Sequence, residues 1–198
     1  MEPRVKFKNI FAHFYKICVH KKWVLYYCHN AGITWRGIKH DLSKFSPTEF
    51  WESVKYYQGT ASPIDAAKKA KGWSKAWMHH KGRNSHHYEY WVDNHDNGGK
   101  PLIMPFKDAL ELLCDYLGAG RAYMGKKFSY SAEFQWWQAK AQKPLAMHYV
   151  TKWFISTTLA DFAEFEQGGF DPLDLLSYRH LENKYNTLIE RYNREGHL

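Results

Sequence analysis

Along most of the chain, apolar residues recur at three- and four-residue spacing, the period of a helix that buries one side. Phe7, Ile10, Phe11, Phe14, Ile17 and Cys18 begin this pattern, which continues through Trp23 to Tyr27 and predicts a first helix over 5–29. Gly32 and the Trp35-Arg36-Gly37 stretch are expected to break it. Ser46-Pro47-Thr48-Glu49 offers a cap residue, a proline at the first helical position and a glutamate at the capping-box position, so a second helix is expected over 46–58. Ser62-Pro63-Ile64-Asp65 repeats that start, and Ala and Lys carry a third helix to His80. A short helix at 85–93, a turn-rich loop from Asn94 to Pro101, and helices at 106–124, 131–142, 145–166 and 172–195 complete the pattern. No segment reads as a strand. On the last helix Leu181, Tyr185, Leu188, Ile189 and Tyr192 share one side, suited to packing or to a homo-oligomer face.

The expected fold is therefore all-α, and 198 residues suit a single helical domain with one core. Hydrophobic residues make up 44% of the chain, which excludes disorder, while a mean hydropathy of −0.63 and the lack of a long apolar run exclude a membrane span. The cysteines Cys18, Cys28 and Cys114 form no C-x-x-C pair. The first residues lack the apolar core of a signal peptide, so a reducing, cytoplasmic setting is expected. A net charge of +8 favours anionic partners without choosing among them.

Histidine changes the picture. There are 12, and five lie between His79 and His95. In His79-His80-Lys81-Gly82-Arg83-Asn84-Ser85-His86-His87 four imidazoles fall within nine residues. Buried rings each need a partner for both nitrogens, and a metal supplies such partners. On a continuous helix His80, Asn84 and His87 would share a face, with His79 and His86 on an adjacent one. Upstream, His40-Asp41 can ligate one divalent ion where the backbone turns. On the helix near 107–117 Asp108, Glu111 and Asp115 make one acidic sector, which reads either as a solvated stripe or as a source of a carboxylate ligand, Asp115 before Glu111. His20, seven residues after His13, shares a face with Val24.

Taken in order, a His, then His-Asp, then two His clusters, then an Asp resemble the HD-domain superfamily of all-helical metal-dependent phosphohydrolases, whose two-metal members follow H…HD…H…H…D. His40-Asp41-Leu42-Ser43-Lys44 is similar to the HD-x-G-K segment of HD-GYP phosphodiesterases and of the myo-inositol-oxygenase-like branch, with Ser43 in place of Gly. More closely, HKKWV from His20, HDLSKFSPTEF from His40, AWMHHKGRNSHHYEYW from Ala76, Met104-Pro105 and ELLCDYLGAGRA from Glu111 resemble a bacterial and phage family within or near that superfamily, over about 20–163. The spacing of His80 and His86 is tighter than in the two-metal phosphodiesterases, and no GYP signature is present.

The resemblance implies His20, His40, Asp41 and Asp115 as ligands of one divalent transition metal (Fe, Mn, Zn, Co or Ni), with His80 and one or both of His86 and His87 completing a second metal site or binding phosphate. It further implies Lys44 as a charge-stabilising catalytic group, with Arg83 and Asn84 contacting a small phosphorylated substrate, such as a nucleotide. The expected activity is metal-dependent phosphoester hydrolysis. Two alternatives stay open: a di-iron oxygenase on the same ligand order, and a non-enzymatic nucleic-acid-binding module using the positive charge, exposed aromatics and Lys68, Lys69, Lys71 and Lys75. No membrane partner is expected.

Overall fold

The computed structural model describes residues 3–93, 96 and 98–196; Asn94, His95 and Asn97 of the turn-rich loop, and His197, lie outside the described residues. Nine α-helices form among these: α1 (Phe7–Asn30), α2 (Thr34–Lys39), α3 (Pro47–Tyr56), α4 (Pro63–Lys71), α5 (Lys75–Lys81), α6 (Phe106–Met124), α7 (Tyr130–Ala141), α8 (Tyr149–Gln167) and α9 (Tyr178–Glu195). The fold is all-helical, with a lone antiparallel bridge between Val92 and Pro101. No helix among the described residues is long and apolar enough to cross a membrane.

Four local departures from the periodicity have physical causes. Residues 34–39 are helical where a break is expected, because Gly37 is needed for close packing: a Cβ there would lie 2.7 Å from Cys28 Cβ on α1. The helix expected from Ser62 to His80 is two helices. Gly72 takes a left-handed φ of 81° and ends α4, and Ser74 then caps α5 by accepting from the Trp77 amide at 3.1 Å. Residues 85–93 contain only a 3-10 turn, Tyr88–Trp91. Near the C-terminus a 3-10 turn, Pro172–Leu175, precedes α9, which Ser177 caps through the His180 amide at 3.3 Å.

α1 lies along α6 and carries α2 folded back on it, α3 packs against α4 and α5, and α7, α8 and α9 close the other side. The core joins Val24, Tyr27 and Cys28 of α1 to Leu110, Leu113 and Leu117 of α6, with Trp137, Phe154, Leu159 and Phe162 beyond. Leu181 and Tyr185 of α9 are buried, with Leu188, Ile189 and Tyr192 packed beside them, so the apolar side of the last helix is a packing face. The Tyr185 hydroxyl donates to the Met104 carbonyl at 2.6 Å and ties α9 to the start of α6.

The crossing of α1 and α6 is set by Gly118. A Cβ at this position would sit 2.5 Å from Val24 Cγ2 and 2.9 Å from the Val24 backbone nitrogen. That contact lies one turn from both His20 and Asp115, so the helix spacing sets how far apart these two side chains stand. Gly118→Ala is expected to destabilise the fold by about 1–3 kcal/mol, read by denaturant unfolding, despite alanine's better helix propensity.

A second packing constraint is electrostatic. Glu133 of α7 is buried with its carboxyl against Gly120 of α6, where a Cβ would meet Oε2 at 2.0 Å. Burial pushes its pKa up to about 8; nearby Asp115 adds to the rise and Lys140 opposes it. The folded chain thus keeps a proton on Glu133 that the unfolded chain loses above its ordinary value of 4.5. Stability from this group is present below that value and falls as pH rises through about 8. In metal-free protein, Glu133→Gln should remove this fall, a difference on the order of a few kcal/mol between acid and alkaline unfolding curves.

Candidate metal centre

Five stretches of chain meet between α1 and α6. His20 projects from α1 and Asp115 from α6; His40 and Asp41 follow α2, His80 closes α5, and His86 and His87 lie in the segment after it. The His40-Asp41 pair works because the backbone turns there. α2 ends at Lys39, His40 leaves the helix at φ −48° and ψ 127°, and Asp41 sits at φ 55°, the one positive φ outside glycine among the described residues. Asp tolerates this left-handed conformation better than most residues. Both side chains consequently face the same interior point, which neighbours on one helix could not do. Lys21 of α1 holds the turn by donating to the carbonyls of Ile38, at 3.3 Å, and of His40.

Asp41 stands at the centre. Its Oδ2 lies 3.2 Å from His40 Nε2 and 3.5 Å from His20 Nε2, and Asp115 Oδ1 lies 3.1 Å from His20 Nε2. Its Oδ1 faces the other way, 3.2 Å from His80 Nε2 and 3.5 Å from His86 Nε2. His87 Nε2 is 2.8 Å from His80 Nε2. The side chains thus form two sets around Asp41 able to hold an ion, His20, His40, Asp41 and Asp115 on one side and Asp41, His80, His86 and His87 on the other, and a third group, His40, His86 and Glu111, meets on the Nδ1 side of the same two rings. All seven residues expected as ligands are brought together. The helix-face argument separating His86 from His80 and His87 does not hold, because α5 ends at Lys81 and the chain turns back, setting the rings of His86 and His87 4.3 Å apart. His79 stays outside both sets, on Glu49 Oε1 at 2.6 Å.

Whether a metal fits is answered by polar atoms left without partners. His20 Nε2, His40 Nε2, His86 Nε2 and both Asp41 oxygens are buried without a well-aligned hydrogen bond. Such atoms are costly unless something else satisfies them. They converge on one place, and imidazole nitrogen with carboxylate oxygen is the donor set of Zn, Fe, Mn and similar ions.

The far ring nitrogens are held by carboxylates. Glu111 Oε1 lies 2.9 Å from His40 Nδ1 and 3.2 Å from His86 Nδ1, and Glu49 Oε2 lies 2.8 Å from His80 Nδ1. This carboxylate–imidazole pairing turns each Nε2 lone pair inward and raises its basicity. Arg36 fixes Glu111 in turn, with Nε donating to Oε2 at 2.6 Å and the other arm on Asp108. The acidic sector of α6 is therefore buried, not solvated: Asp108 and Glu111 brace histidines and Arg36 while Asp115 enters a ligand set. Glu111 was expected, if anything, as a ligand; it stands one layer behind.

Electrostatics agree with a site built for a cation. Burial alone would lower the His40 pKa, but Asp41, Asp115 and Glu111 hold it well above the ordinary value. Burial would raise Asp41 and Asp115, yet their histidine partners hold both well below the carboxylate range, Lys44 adding to this at Asp41. His80 is pushed up to about 9 by Asp41 and Glu49 against its burial. His87 is driven well below its ordinary value by burial and by His86 and His80, which favours its neutral ring.

Of the three residues expected to touch substrate, Lys44 is partly exposed and ion-paired to Asp41 Oδ2 at 2.5 Å. Asn84 sits behind the ligands, its Nδ2 donating to Ser43 Oγ at 2.9 Å and to the His80 carbonyl at 2.8 Å. Arg83 is exposed and donates to the His79 carbonyl at 3.4 Å. Sequence reading missed Glu49, Arg36 and Ser43 as bracing groups; the one available signal was Glu49 in the capping-box position. There the Ser46 hydroxyl accepts from the Glu49 amide at 3.4 Å, while the Glu49 carboxylate turns to the histidines.

Residues 9–161 match DUF5662, described as a family of unknown function. No curated protein and no solved structure matches the chain.

Adding a divalent transition metal to chelator-treated protein is expected to raise its thermal stability, by roughly 2.7 kcal/mol when free metal stands about 100-fold above Kd. Asp41→Asn should abolish the gain, whereas Glu111→Gln should keep it with roughly 10–100-fold weaker affinity, measured by calorimetric titration.

Proposed function

We propose that this chain, which belongs to the DUF5662 family, is a metal-dependent phosphohydrolase of the HD-like helical type that acts on a nucleotide or another small phosphoester. The observation that carries the reading is the shared carboxylate: the two oxygens of Asp41 belong to different ligand sets, so one residue serves two cation positions. Ions bound there would polarise a phosphoryl oxygen and lower the pKa of water toward neutrality.

The chain's own groups account for the rest. Asp41, Asp115 and the five histidines hold the cations, and Glu111 and Glu49 keep the imidazoles pointed inward. Lys44 reaches the centre from its partly exposed side. Its ammonium stays charged because Asp41 and Asp115 overcome the effect of burial. Once the Asp41 oxygens are engaged by cations, Lys44 is the group free to turn to negative charge on a transferring phosphoryl group. Arg83, exposed at the end of α5, is available to an arriving phosphate.

Two observations weaken the nucleic-acid alternative as it stood on the lysine run. Lys68 lies over the Trp77 ring at 4.5 Å, and Lys71 pairs with Glu52 at 2.5 Å, so both are engaged within the chain.

The test is phosphate release from nucleotides, cyclic dinucleotides and simple phosphodiesters by protein loaded separately with Mn, Co, Ni, Fe or Zn. Hydrolysis of at least one class is expected, absent in Asp41→Asn. Lys44→Met should retain metal while losing roughly 10²–10³ in kcat. A panel left intact under every metal, with oxygen consumed by the iron-loaded protein, would replace hydrolysis with di-iron oxygenase chemistry.

A further inference from the structure

The net charge of the protein has a location. Residues 3–40 contain Arg4, Lys6, Lys8, Lys16, Lys21, Lys22, Arg36 and Lys39 and no Asp or Glu. These eight cations equal the +8 of the whole chain, so the remaining residues balance at 20 of each sign. Arg4, Lys6, Lys8, Lys22 and Lys39 are exposed.

The same segment carries an apolar face that the described residues leave largely exposed. On α1, the side bearing Asn9, His13, Ile17, His20 and Val24 is buried against the body. On the opposite side Phe7 is 75% exposed, Phe11 64%, Phe14 49% and Tyr15 69%. Three phenylalanines at four- and three-residue spacing on a solvent face cannot be accounted for by the core. The face continues along the chain: Phe14 meets Phe45 at 5.8 Å between centroids, and Trp35 and Ile38 of α2 are exposed. Between α1 and α2 lies a shallow groove of about 370 Å³ lined by Lys22, Leu25, Tyr26, His29, Thr34 and Ile38.

Against the expectation of no membrane partner, we infer that this α1–α2 face docks on an anionic lipid surface. An aromatic stripe with cations beside it, on a helix held by its other side to a folded body, is the pattern of a helix lying in a membrane interface. The rings enter the acyl boundary, and the exposed Arg4, Lys6 and Lys8 meet the headgroups, with Lys22 and Lys39 adding charge from their places over Trp23 at 5.5 Å and Trp35 at 5.0 Å. A second copy is disfavoured as occupant, because joining two such faces would bring together the five exposed cations of each chain with no Asp or Glu from the same segments. Single-stranded nucleic acid is also disfavoured. Successive bases stack on rings spaced along a basic groove, whereas Phe7 and Phe11 touch edge to face at 5.3 Å and 72° and make one contiguous apolar ridge on a single helix. The inference stands independently of the chemistry at the metal centre.

The experiment is co-sedimentation of the full chain with phosphatidylcholine vesicles, with and without about one third phosphatidylglycerol, alongside a fluorescent single-stranded oligonucleotide. Wild-type protein should sediment with the anionic vesicles, weakly with neutral ones, and less as salt is raised. Phe7→Ser/Phe11→Ser/Tyr15→Ser should lose roughly tenfold or more in vesicle affinity with an unchanged melting curve, as should Lys6→Glu/Lys8→Glu/Lys22→Glu. Failure to bind anionic vesicles at low salt overturns the inference, as does binding that survives both triple variants. Oligonucleotide binding lost in these variants, without vesicle binding, assigns the face to nucleic acid instead.

Discussion

One carboxylate sets the geometry on which the interior rests. Glu111 of α6 is gripped by Arg36 of α2 and reaches two imidazoles at once, His40 after α2 and His86 beyond α5. Without it, two segments remote in sequence would each bring a ring nitrogen, His40 Nδ1 and His86 Nδ1, into the interior without its carboxylate partner, and Arg36 would keep only Asp108. Burial of so many ionisable groups costs several kcal/mol apiece unless each finds a partner. The outer carboxylates and Arg36 meet that requirement on one side of the rings, while the inward nitrogens and Asp41, which has Lys44 beside it, converge where an ion could be held.

The architecture follows from the need to bring these segments to one point. Gly118 lets α1 and α6 approach until His20 and Asp115 stand 3.1 Å apart, Gly37 lets α2 lie flat on α1, and the left-handed turn at Asp41 swings His40 and Asp41 inward together. α3 then holds α5 through two carboxylates: Glu49 takes His79 and His80 near the helix end, and Glu52 accepts from the amides of Lys75 and Ala76 at its start. The helices beyond, α7 to α9, supply the apolar mass against which α6 is buried.

Most of this was legible in the sequence where the information is local. Helical period, serine caps and the order of His and Asp residues located the long helices and all seven residues of the two ligand sets. What was not legible depends on contacts between distant segments. Gly37 reads as a breaker because its packing partner, Cys28, is on another helix. The Gly72 break was hidden by the strong helix formers on either side of it. Glu111 reads as part of a stripe because its partner His40 lies 71 positions away, and Glu49 reads as half of a capping box although its carboxylate serves two histidines. The unequal fates of the phenylalanines on α1 belong to the same class: periodicity counts Phe7, Phe11 and Ile17 alike, and only the packed fold separates buried from exposed.

The sharing of Asp41 makes the two ligand sets a linked pair. A carboxylate carries a single negative charge, so a cation drawn to Oδ2 withdraws electron density from Oδ1 and lowers its attraction for a second ion. Were both sets to take ions, the first would enter against protons and Lys44 and the second against the first. Two cations bound there would show two affinities, and the level between them, with one ion held and one set of histidines open, would be a distinct chemical form of the protein.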